Sequence, residues 1–539
     1  MTDQIYLFDT TLRDGQQTQG VDFNSSDKTR ITKALDELGV DYIEGGWPGA
    51  NHTDNEFFKI APRTNATFTA FGMTKRTGYS VDNDDVLSAV INANTKAVCL
   101  VGKSHDFHVT TALGVSLEEN LINIKESIEH LVAKGKEAIF DCEHFFDGYL
   151  DNSEYALAVA KTAYEAGARW VVLCDTNGGS LPDTVIKVTK DVIASGVPGS
   201  HVGIHAHNDT EHAVANSIAA ILAGARQIQG TLNGLGERCG NANLISIIPT
   251  LLLKEPFKTK FKLNVSVDKL KKLTAISRIL DDVLNRVPQK QAAYVGASAF
   301  AHKAGLHASA ILKAPQTYEH IDPFLVGNQR VIPMSNQAGQ SNLRMRLKEA
   351  GINVNNKEPK LLEILNDIKS REEKGYAYDS AQASFELLAR KHLGDMPDFF
   401  EVKRYKVTVE RRKNKNNNMV SISEAVVVTQ IKDKKVLSVS ESMDNFGSDR
   451  GPVNALSMAL AKDLGPYQKY IDDMKLVDFK VRITDGGTEA VTRVIIDCED
   501  GVGIRWSTVG VSANIVDASF EALLDAIQWK LIRDGAPSL

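Results

Sequence analysis

Ile5-Tyr6-Leu7-Phe8-Asp9, a short apolar run near the N-terminus, is followed by the helical pattern 27–38, by Gly39 and by a second apolar run, Tyr42-Ile43-Glu44-Gly45. Neither run alternates between apolar and polar residues, which is typical of parallel strands that are buried on both faces. Glycine directly after a helical pattern is a common helix stop. The stretch 5–45 therefore predicts a strand, a helix and a second strand.

The same order continues to about residue 250. We predict eight strands, at 5–9, 42–45, 68–72, 97–101, 138–142, 170–174, 202–206 and 227–230. Helical patterns lie between them, among others at 27–38, 120–134, 153–166, 181–195 and 211–223. Eight such units over roughly 250 residues match the size of a (β/α)₈ TIM barrel. A doubly wound open sheet is the alternative α/β fold, and the count of eight argues against it.

The remaining sequence divides into two further regions, so we predict domains at 1–258, 259–395 and 396–539. The middle region reads as helical linker subdomains, with patterns at 267–284 and 360–392 and a loop-and-short-helix segment at 296–342. The C-terminal region repeats one order of elements. Its predicted strands are 400–410, 420–430 and 436–440 before the helix 453–464, and 476–484, 490–498 and 503–509 before the helix 513–532. Two βββα copies predict an α+β regulatory domain that senses a ligand or forms a dimer.

Composition excludes several classes of protein. Hydrophobic residues make up 43% of the 539 residues, charged residues 24%, and the net charge is -6, so a nucleic-acid partner is not expected. The five cysteines are scattered and form no C-x-x-C pair, which fits a reducing cytoplasm. The longest apolar stretch, 244–253, contains Pro249 and is about half the length of a membrane-spanning helix. We therefore expect a soluble cytoplasmic protein.

Three polar motifs follow strands one, seven and eight of the predicted barrel. They are Asp9-Thr10-Thr11-Leu12-Arg13-Asp14-Gly15, His205-Ala206-His207-Asn208-Asp209 and Gly236-Glu237-Arg238-Cys239-Gly240-Asn241. These strands are neighbours in a barrel because the sheet closes on itself. The side chains of Asp14, His205, His207 and Asn241 are therefore expected to converge at the end where barrels keep their active sites.

The spacing His205-x-His207 favours a metal site, because residues i and i+2 of a strand point to the same side and can face one ion. A single histidine there is more often a hydrogen-bonded core residue, and a surface ion pair is the simpler interpretation of Arg13-Asp14. The glycines before Asn241 form either a phosphate loop or a tight turn. Histidine with carboxylate suits Zn²⁺, Mn²⁺, Co²⁺ or Mg²⁺, and the sequence does not choose among them.

These motifs resemble the family of 2-isopropylmalate, homocitrate and citramalate synthases. The resemblance covers essentially the whole chain, and the repeated C-terminal domain is similar to the regulatory domain of isopropylmalate and citramalate synthases. Two further runs resemble the citramalate-forming members most, namely Ile43-Glu44-Gly45-Gly46-Trp47-Pro48-Gly49-Ala50-Asn51 and Thr317-Tyr318-Glu319-His320-Ile321-Asp322-Pro323.

The resemblance implies a metal-dependent acyltransferase that condenses acetyl-CoA with pyruvate and water. The products would be (R)-citramalate and CoA, at the entry to isoleucine biosynthesis. It also implies isoleucine as an effector at the C-terminal domain, and we expect a homodimer because the linker and the paired regulatory domains offer natural contacts.

The resemblance also implies roles for residues of the barrel. Asp14, His205 and His207 would be metal ligands, with Asn241 as a ligand or near-ligand. Arg13 would stabilise the oxygen that becomes negative as the ketone is attacked.

Three more barrel residues are assigned in the same way. Glu44 would bind the substrate or orient Arg13 or a metal-bound water. Glu143, in Asp141-Cys142-Glu143-His144, and Thr176, in Cys174-Asp175-Thr176-Asn177, would contact the 2-oxo acid. Ordinary ion pairing at the barrel mouth is the alternative for Glu44 and Glu143.

The linker contributes two candidates. The run Ala301-His302-Lys303-Ala304-Gly305-Leu306-His307 resembles the family segment that reaches over the barrel. His307 matches the residue assigned to proton transfer, and Tyr318 matches a nearby hydroxyl. Some citramalate synthases carry an acidic residue two positions after this histidine, where this chain has Ser309, so the partner of His307 is left open.

Three other functions compete with citramalate formation. A 2-isopropylmalate synthase would perform the same chemistry on 2-oxoisovalerate, with leucine as the inhibitor. A lyase would cleave the carbon–carbon bond on a related barrel, although feedback control suits a committed biosynthetic step better. A non-catalytic amino-acid sensor is disfavoured because Arg13, Asp14, His205 and His207 are all present.

Overall fold

The computed structural model describes residues 3–60, 62–332, 340–354, 359–413, 417, 419–444, 451–483 and 490–539. The chain divides into two compact units. The first contains residues 1–300 and 320–330, and the second contains residues 301–319 and 331–539. Between the predicted strands 400–410 and 420–430, residues 414–416 and 418 fall outside the described residues.

The first unit is built on a closed barrel of eight parallel strands, as predicted. In chain order the strands are β1 Tyr6–Asp9, β2 Tyr42–Glu44, β3 Thr67–Met73, β4 Ala97–Lys103, β5 Glu137–Glu143, β6 Trp170–Asp175, β7 Val202–Ala206 and β8 Gln227–Gly230. Strand β1 pairs with β2 on one side and with β8 on the other, where Tyr6 lies opposite Gln227. That last pairing closes the barrel and excludes the open sheet.

Helices surround the barrel, and their ends follow local sequence signals. They are Ser25–Leu38, His52–Ile60, Asp85–Ile91, Leu117–Ala133, Phe145–Asp151, Ser153–Glu165, Pro182–Ala194, Ala213–Ala223 and Leu244–Leu253. The first begins at a capping box in which Asn24 and Asp27 each accept from the other's backbone N–H, and ends at Gly39, whose φ is 96°. Buried apolar side chains fill the space between strands and helices, and a smaller cluster around Phe8 and Trp170 fills the barrel interior.

Two long helical predictions are wrong in detail. The pattern 267–284 forms two helices, Val267–Leu270 and Leu273–Val283. The pattern 360–392 also forms two, Lys360–Glu373 and Gln382–Leu393, because Gly375 adopts a φ of 106° between them. Such left-handed backbone ends a helix and lets the chain turn, although the apolar spacing on either side continues.

The second unit holds the two predicted βββα copies and the linker helices after residue 300, whereas the linker helices Val267–Leu270 and Leu273–Val283 belong to the first unit. The other linker helices of the second unit are Gly305–Lys313 and Gln340–Glu349. The first copy has strands Glu401–Lys413, Met419–Ile431 and Lys434–Asp444 and helix Pro452–Ala461, and the second has strands Lys475–Ile483, Thr492–Glu499 and Arg505–Ser512 and helix Ile515–Arg533. Each sheet is antiparallel, and the two copies share one apolar core. Within the described part of the chain, every helix is too short or too polar to cross a membrane.

Asp9 ends β1 and starts the loop that carries Arg13 and Asp14. Its side chain is fully buried, and its two carboxylate oxygens accept from the Thr11 N–H at 2.9 Å and from the Thr11 hydroxyl at 2.8 Å. Burial raises the pKa of Asp9 from 3.8 to about 7, against the lowering effect of these hydrogen bonds.

This carboxyl group makes the stability of the barrel depend on pH. Because the pKa is higher in the folded protein, the folded state binds the proton more tightly than the unfolded chain. Stability contributed by Asp9 is therefore present below about pH 4 and is lost as the pH rises to about 7. We expect Asp9→Asn to raise the unfolding temperature above that of the wild type by more at about pH 8 than at about pH 5. The difference should be on the order of 2–4 kcal/mol in the free energy of unfolding.

Thermal unfolding followed by circular dichroism at the two pH values measures this difference. Asp183→Asn, which removes an exposed carboxylate, is the control. Equal shifts in Asp9→Asn at both pH values would contradict the assignment.

Candidate metal centre and active site

Three ionisable side chains meet at the C-terminal end of the barrel. Asp14 lies in the loop after β1, His205 lies in β7, and His207 directly follows that strand. Asp14 Oδ2 is 3.0 Å from His205 Nε2 and 3.7 Å from His207 Nε2, and the two imidazole nitrogens are 3.4 Å apart. All three residues are buried. The structure thus brings these predicted ligands together, and the reason is the closure of the barrel between β1 and β8.

Asn241 joins this group from the turn after β8. Its amide nitrogen lies 2.9 Å from Asp14 Oδ2 and 3.1 Å from His205 Nε2. The turn is tight. A Cβ on Gly236 would collide with Asn241 Oδ1, and Gly240 has a φ of 96°. Glycine is therefore needed at both positions to bring Asn241 to the centre.

The donor set fits a divalent cation. One ligand atom from each of Asp14, His205 and His207 lies within 4.8 Å of the others, a grouping that no other set of three such residues reaches within the described ranges. In the same ranges, His207 Nδ1 and Asn241 Oδ1 are buried without a hydrogen-bond partner. Two imidazole nitrogens and a carboxylate oxygen that face one point suit Zn²⁺, Mn²⁺ or Co²⁺, and Mg²⁺ less well.

The surroundings of Asp14 and His207 favour the ionised carboxylate and the neutral imidazole, which are the protonation states that bind a cation. Burial alone would raise the pKa of Asp14, but Arg13, His205 and His207 outweigh it and hold that pKa far below its usual range. Burial and the neighbouring His205 lower the pKa of His207 to about 4. For His205, Asp14 outweighs burial and raises the pKa, so a proton competes there with a cation.

Arg13 is held in place beside the metal centre. Its Nε donates to Glu44 Oε2 at 2.8 Å, and its guanidinium carbon lies 3.9 Å from the centre of the Phe71 ring. Burial opposes the charge of Arg13, but Glu44 and Asp14 outweigh it and raise the pKa of the guanidinium. Glu44 is fully buried and also accepts from the Thr10 hydroxyl at 2.6 Å. Glu44 therefore orients Arg13, and its direct contact with substrate stays a prediction.

A buried lysine ties together the two loops that carry this pair. The Lys28 ammonium donates to the Leu12 carbonyl at 2.9 Å, to the Gly45 carbonyl at 3.0 Å and to the Asp54 carboxylate. Leu12 directly precedes Arg13, and Gly45 directly follows Glu44. All three ammonium hydrogens are thus used to hold the backbone on either side of the Arg13–Glu44 contact.

Glu143 and Thr176 lie at the ends of β5 and β6. Lys103 Nζ lies 2.5 Å from Glu143 Oε2, and Thr176 Oγ1 accepts from the His144 N–H at 2.8 Å. His144 has a φ of 56°, which is uncommon for a residue other than glycine and turns the chain sharply after Glu143.

A cavity of about 270 Å³ opens over these groups. Its polar side includes Arg13, Asp14, Glu143, Thr176, His205 and His207, and its apolar side includes Trp47, Phe71 and Val101. The Trp47 and Phe71 rings meet edge to face at 5.5 Å. One side of the cavity is therefore charged, and the other side, called the aromatic wall, carries the rings of Trp47 and Phe71.

The sequence did not identify three side chains that belong to this site. Asp141 lines the cavity, Gln229 contacts His205, and Lys103 pairs with Glu143. A signal for Gln229 was available, because a strand buried on both faces has little reason to carry two glutamines. The partner of each residue lies on another strand, so the pairing itself required the fold.

The two linker candidates belong to the second unit. The His307 and Tyr318 rings stack with their centres 4.0 Å apart. His302 Nε2 lies 3.2 Å from Glu319 Oε1, so a carboxylate does stand in this segment, next to Tyr318. The roles predicted for His307 and Tyr318 stay predictions.

Three family models match the chain in order. The HMGL-like family matches residues 4–280, which is more than half of the chain. The homocitrate synthase post-HMGL domain-like family matches residues 294–375, and the LeuA allosteric (dimerisation) domain matches residues 379–531.

Several named relatives match the full length. An (R)-citramalate synthase of Aquifex aeolicus is 47% identical over 539 residues, which covers 99% of this chain and 99% of the relative. One from Synechocystis sp. is 44% identical over 98% of this chain and 96% of the relative. A probable 2-isopropylmalate synthase of Methanopyrus kandleri is 31% identical over 98% of both chains. The similarity is thus greater to the first activity than to the second.

We expect His207→Ala to lower the affinity for Mn²⁺ at least about 100-fold, because it removes one of three charged or imidazole donors. Competition with a chromophoric chelator measures the affinity. His52→Ala, which removes an exposed histidine at a helix start, should bind Mn²⁺ as the wild type does. Unchanged affinity in His207→Ala would place the cation elsewhere.

Proposed function

The chain belongs to the family of (R)-citramalate synthases, and we propose that it condenses acetyl-CoA with pyruvate and water to give (R)-citramalate and CoA. The observation that carries this proposal is the meeting of Asp14, His205 and His207 beside Arg13, in a chain that is similar to these synthases from end to end. The activity makes it an acyltransferase.

We assign the cation to Asp14, His205 and His207, with Asn241 beside them. A bound divalent cation would supply Lewis-acid polarisation of the ketone and carboxylate oxygens of the 2-oxo acid. Glu143 and Thr176, which line the same cavity, are assigned to the 2-oxo acid.

Arg13 is assigned to the oxygen that gains charge. Its position between Glu44 and Phe71 supports this assignment, because a fixed cation needs little reorganisation as the negative charge develops. The Lys28 contacts hold both loops in the same arrangement before substrate arrives.

Carbon–carbon bond formation starts with loss of a proton from the acetyl methyl group. We assign this proton to His307, as the family resemblance implies, with Tyr318 stacked on its ring. The enolate carbon then bonds to the ketone carbon of pyruvate, and the ketone oxygen becomes an alkoxide that takes up a proton. Hydrolysis of the thioester consumes one water and releases CoA, which makes the reaction effectively irreversible.

The aromatic wall of the cavity favours pyruvate over a larger 2-oxo acid as the substrate. Trp47 and Phe71 lie beside Arg13, so the space next to the assigned ketone position is bounded by two rigid rings. A methyl group needs less of that space than the isopropyl group of 2-oxoisovalerate.

The C-terminal domain is assigned to feedback control and to dimerisation. Several apolar side chains of its strands are exposed, among them Leu437, Val481 and Ile483, at 64%, 43% and 65%. Exposed apolar strands suit a contact with a second copy of the chain. Light scattering after size-exclusion chromatography tests the dimer, and a monomer at micromolar concentration would contradict it.

We expect the intact protein with Mn²⁺ to release CoA from acetyl-CoA at least about tenfold more efficiently with pyruvate than with 2-oxoisovalerate, because extra methyl groups must fit against rigid rings. A thiol-detecting assay measures kcat/KM for both acids. Preference for 2-oxoisovalerate would make the protein a 2-isopropylmalate synthase and remove the present proposal.

Replacing the fixed cation should slow the reaction without affecting the fold. We expect Arg13→Ala to lower kcat about 10²–10³-fold, because it removes the fixed guanidinium assigned to the developing oxyanion. Steady-state kinetics with pyruvate measures kcat, and Arg30→Ala, which breaks an exposed ion pair with Asp282, is the control. Equal rates in Arg13→Ala and Arg30→Ala would exclude the role given to Arg13.

Isoleucine should inhibit the full-length protein, and leucine should inhibit it more weakly. An effector lowers activity only if it binds one state of the protein better than the other, so isoleucine binding should also weaken in the presence of substrate if the two are coupled. Initial rates at increasing concentrations of each amino acid measure the effect. Stronger inhibition by leucine would reassign the effector.

A further inference from the structure

Two more buried side chains, Gln229 and Asp141, extend the hydrogen-bond network of His205 away from the metal centre. His205 Nδ1 lies 2.8 Å from Gln229 Oε1, and Gln229 Nε2 lies 2.9 Å from Asp141 Oδ1. Gln229 is 1% exposed and Asp141 is 3% exposed. They come from β8 and β5, which are not neighbours in the barrel, so this contact spans the barrel interior.

The Asp141 carboxylate, at the end of this network, determines the direction of both hydrogen bonds. An ionised carboxylate only accepts, so Asp141 must be met by the amide nitrogen of Gln229. The amide oxygen of Gln229 then faces His205 and accepts, so His205 Nδ1 must donate. In the neutral ring, this places the proton on Nδ1 and leaves the lone pair on Nε2.

Nε2 is the nitrogen that faces the proposed cation, and a cation that binds there displaces any proton that Nε2 shares with Asp14. His205 Nε2 lies 3.0 Å from Asp14 Oδ2 and 3.4 Å from His207 Nε2. A glutamine of the opposite amide orientation would donate to Nδ1 and leave the proton on Nε2, where it blocks ligation. The orientation of one amide group therefore decides whether His205 can bind a metal.

We propose that Gln229 and Asp141 are positioning residues that hold His205 in the tautomer with its proton on Nδ1, ready to bind a divalent cation through Nε2. The inference rests on the proposed function, since it concerns the same metal centre. It adds two residues from strands β8 and β5 to the parts of the barrel that define the site.

Two single variants break the arrangement in different ways. Gln229→Leu removes the link, and Asp141→Asn frees the Gln229 amide to rotate because an amide both donates and accepts. We expect each to lower Mn²⁺ affinity about 10–100-fold, the usual effect of losing a partner of a metal-bound histidine. Chelator competition measures the affinity.

The double variant Asp141→Asn/Gln229→Glu tests the direction itself. The introduced amide can donate to the introduced carboxylate, which in turn accepts from His205 Nδ1, so the same tautomer is favoured with the two groups exchanged. We expect the double variant to recover Mn²⁺ affinity to within a few-fold of the wild type. Gln227→Met is the matched control, since Gln227 is buried on the same strand and its amide makes no hydrogen bond within the described residues.

Nitrogen NMR of histidine-labelled, metal-free protein shows whether His205 Nδ1 carries a proton, and this reading does not depend on metal binding. We expect His205 Nδ1 to be protonated in the wild type and in the double variant, and to lose its proton to a large extent in Asp141→Asn. Wild-type tautomer and wild-type Mn²⁺ affinity in both single variants would overturn the inference. Failure of the wild type to bind Mn²⁺ would instead overturn the metal centre of the proposed function, and the NMR result would still test the tautomer.

Discussion

Pairing of the first barrel strand with the last is the constraint on which this active site depends. Residues Tyr6–Asp9 and Gln227–Gly230 are more than 200 positions apart in sequence, yet they share one register. Their pairing places the loop after β1 next to β7 and the turn after β8. Without closure, Asp14 would stand at one edge of a sheet and His205 would lie near the other edge.

Closure of the barrel also brings several buried carboxylates close together, and each of them has a charged or hydrogen-bonding partner. Asp14, Glu44 and Asp141 are buried carboxylates grouped around one guanidinium, that of Arg13. A buried charge is tolerated only when it is paired and hydrogen-bonded. Arg13 pairs with Glu44 and lies near Asp14, Gln229 donates to Asp141, and Asn241 donates to Asp14. The imbalance of negative charge is what a divalent cation would neutralise.

The second unit is organised by the packing of its sheets and helices. Its two copies of three strands and a helix bury one face of each sheet in a common core. The helix Gln382–Leu393 packs on the last helix, Ile515–Arg533. Between these two helices, the Trp529 side chain donates a hydrogen bond to Glu386 at 2.7 Å. Rigid packing on one face and apolar side chains left exposed on the other suit the feedback and dimerisation roles proposed for this unit. It must hold its own fold while responding to a ligand or a second subunit.

The sequence by itself determined the order of strands and helices, the count of eight, the internal repeat and the spacing of His205 and His207, because these depend on local periodicity and on residues two apart along one strand. It also placed Asp14 and Asn241 near them, through the rule that a barrel closes. The continuous apolar pattern on both sides of Gly375 predicted one helix there, where the structure has two. The sequence could not pair Arg13 with Glu44, Lys103 with Glu143, or Gln229 with Asp141. Those contacts join side chains from different strands, and their distances and hydrogen-bond directions exist only once the strands are assembled around a shared interior.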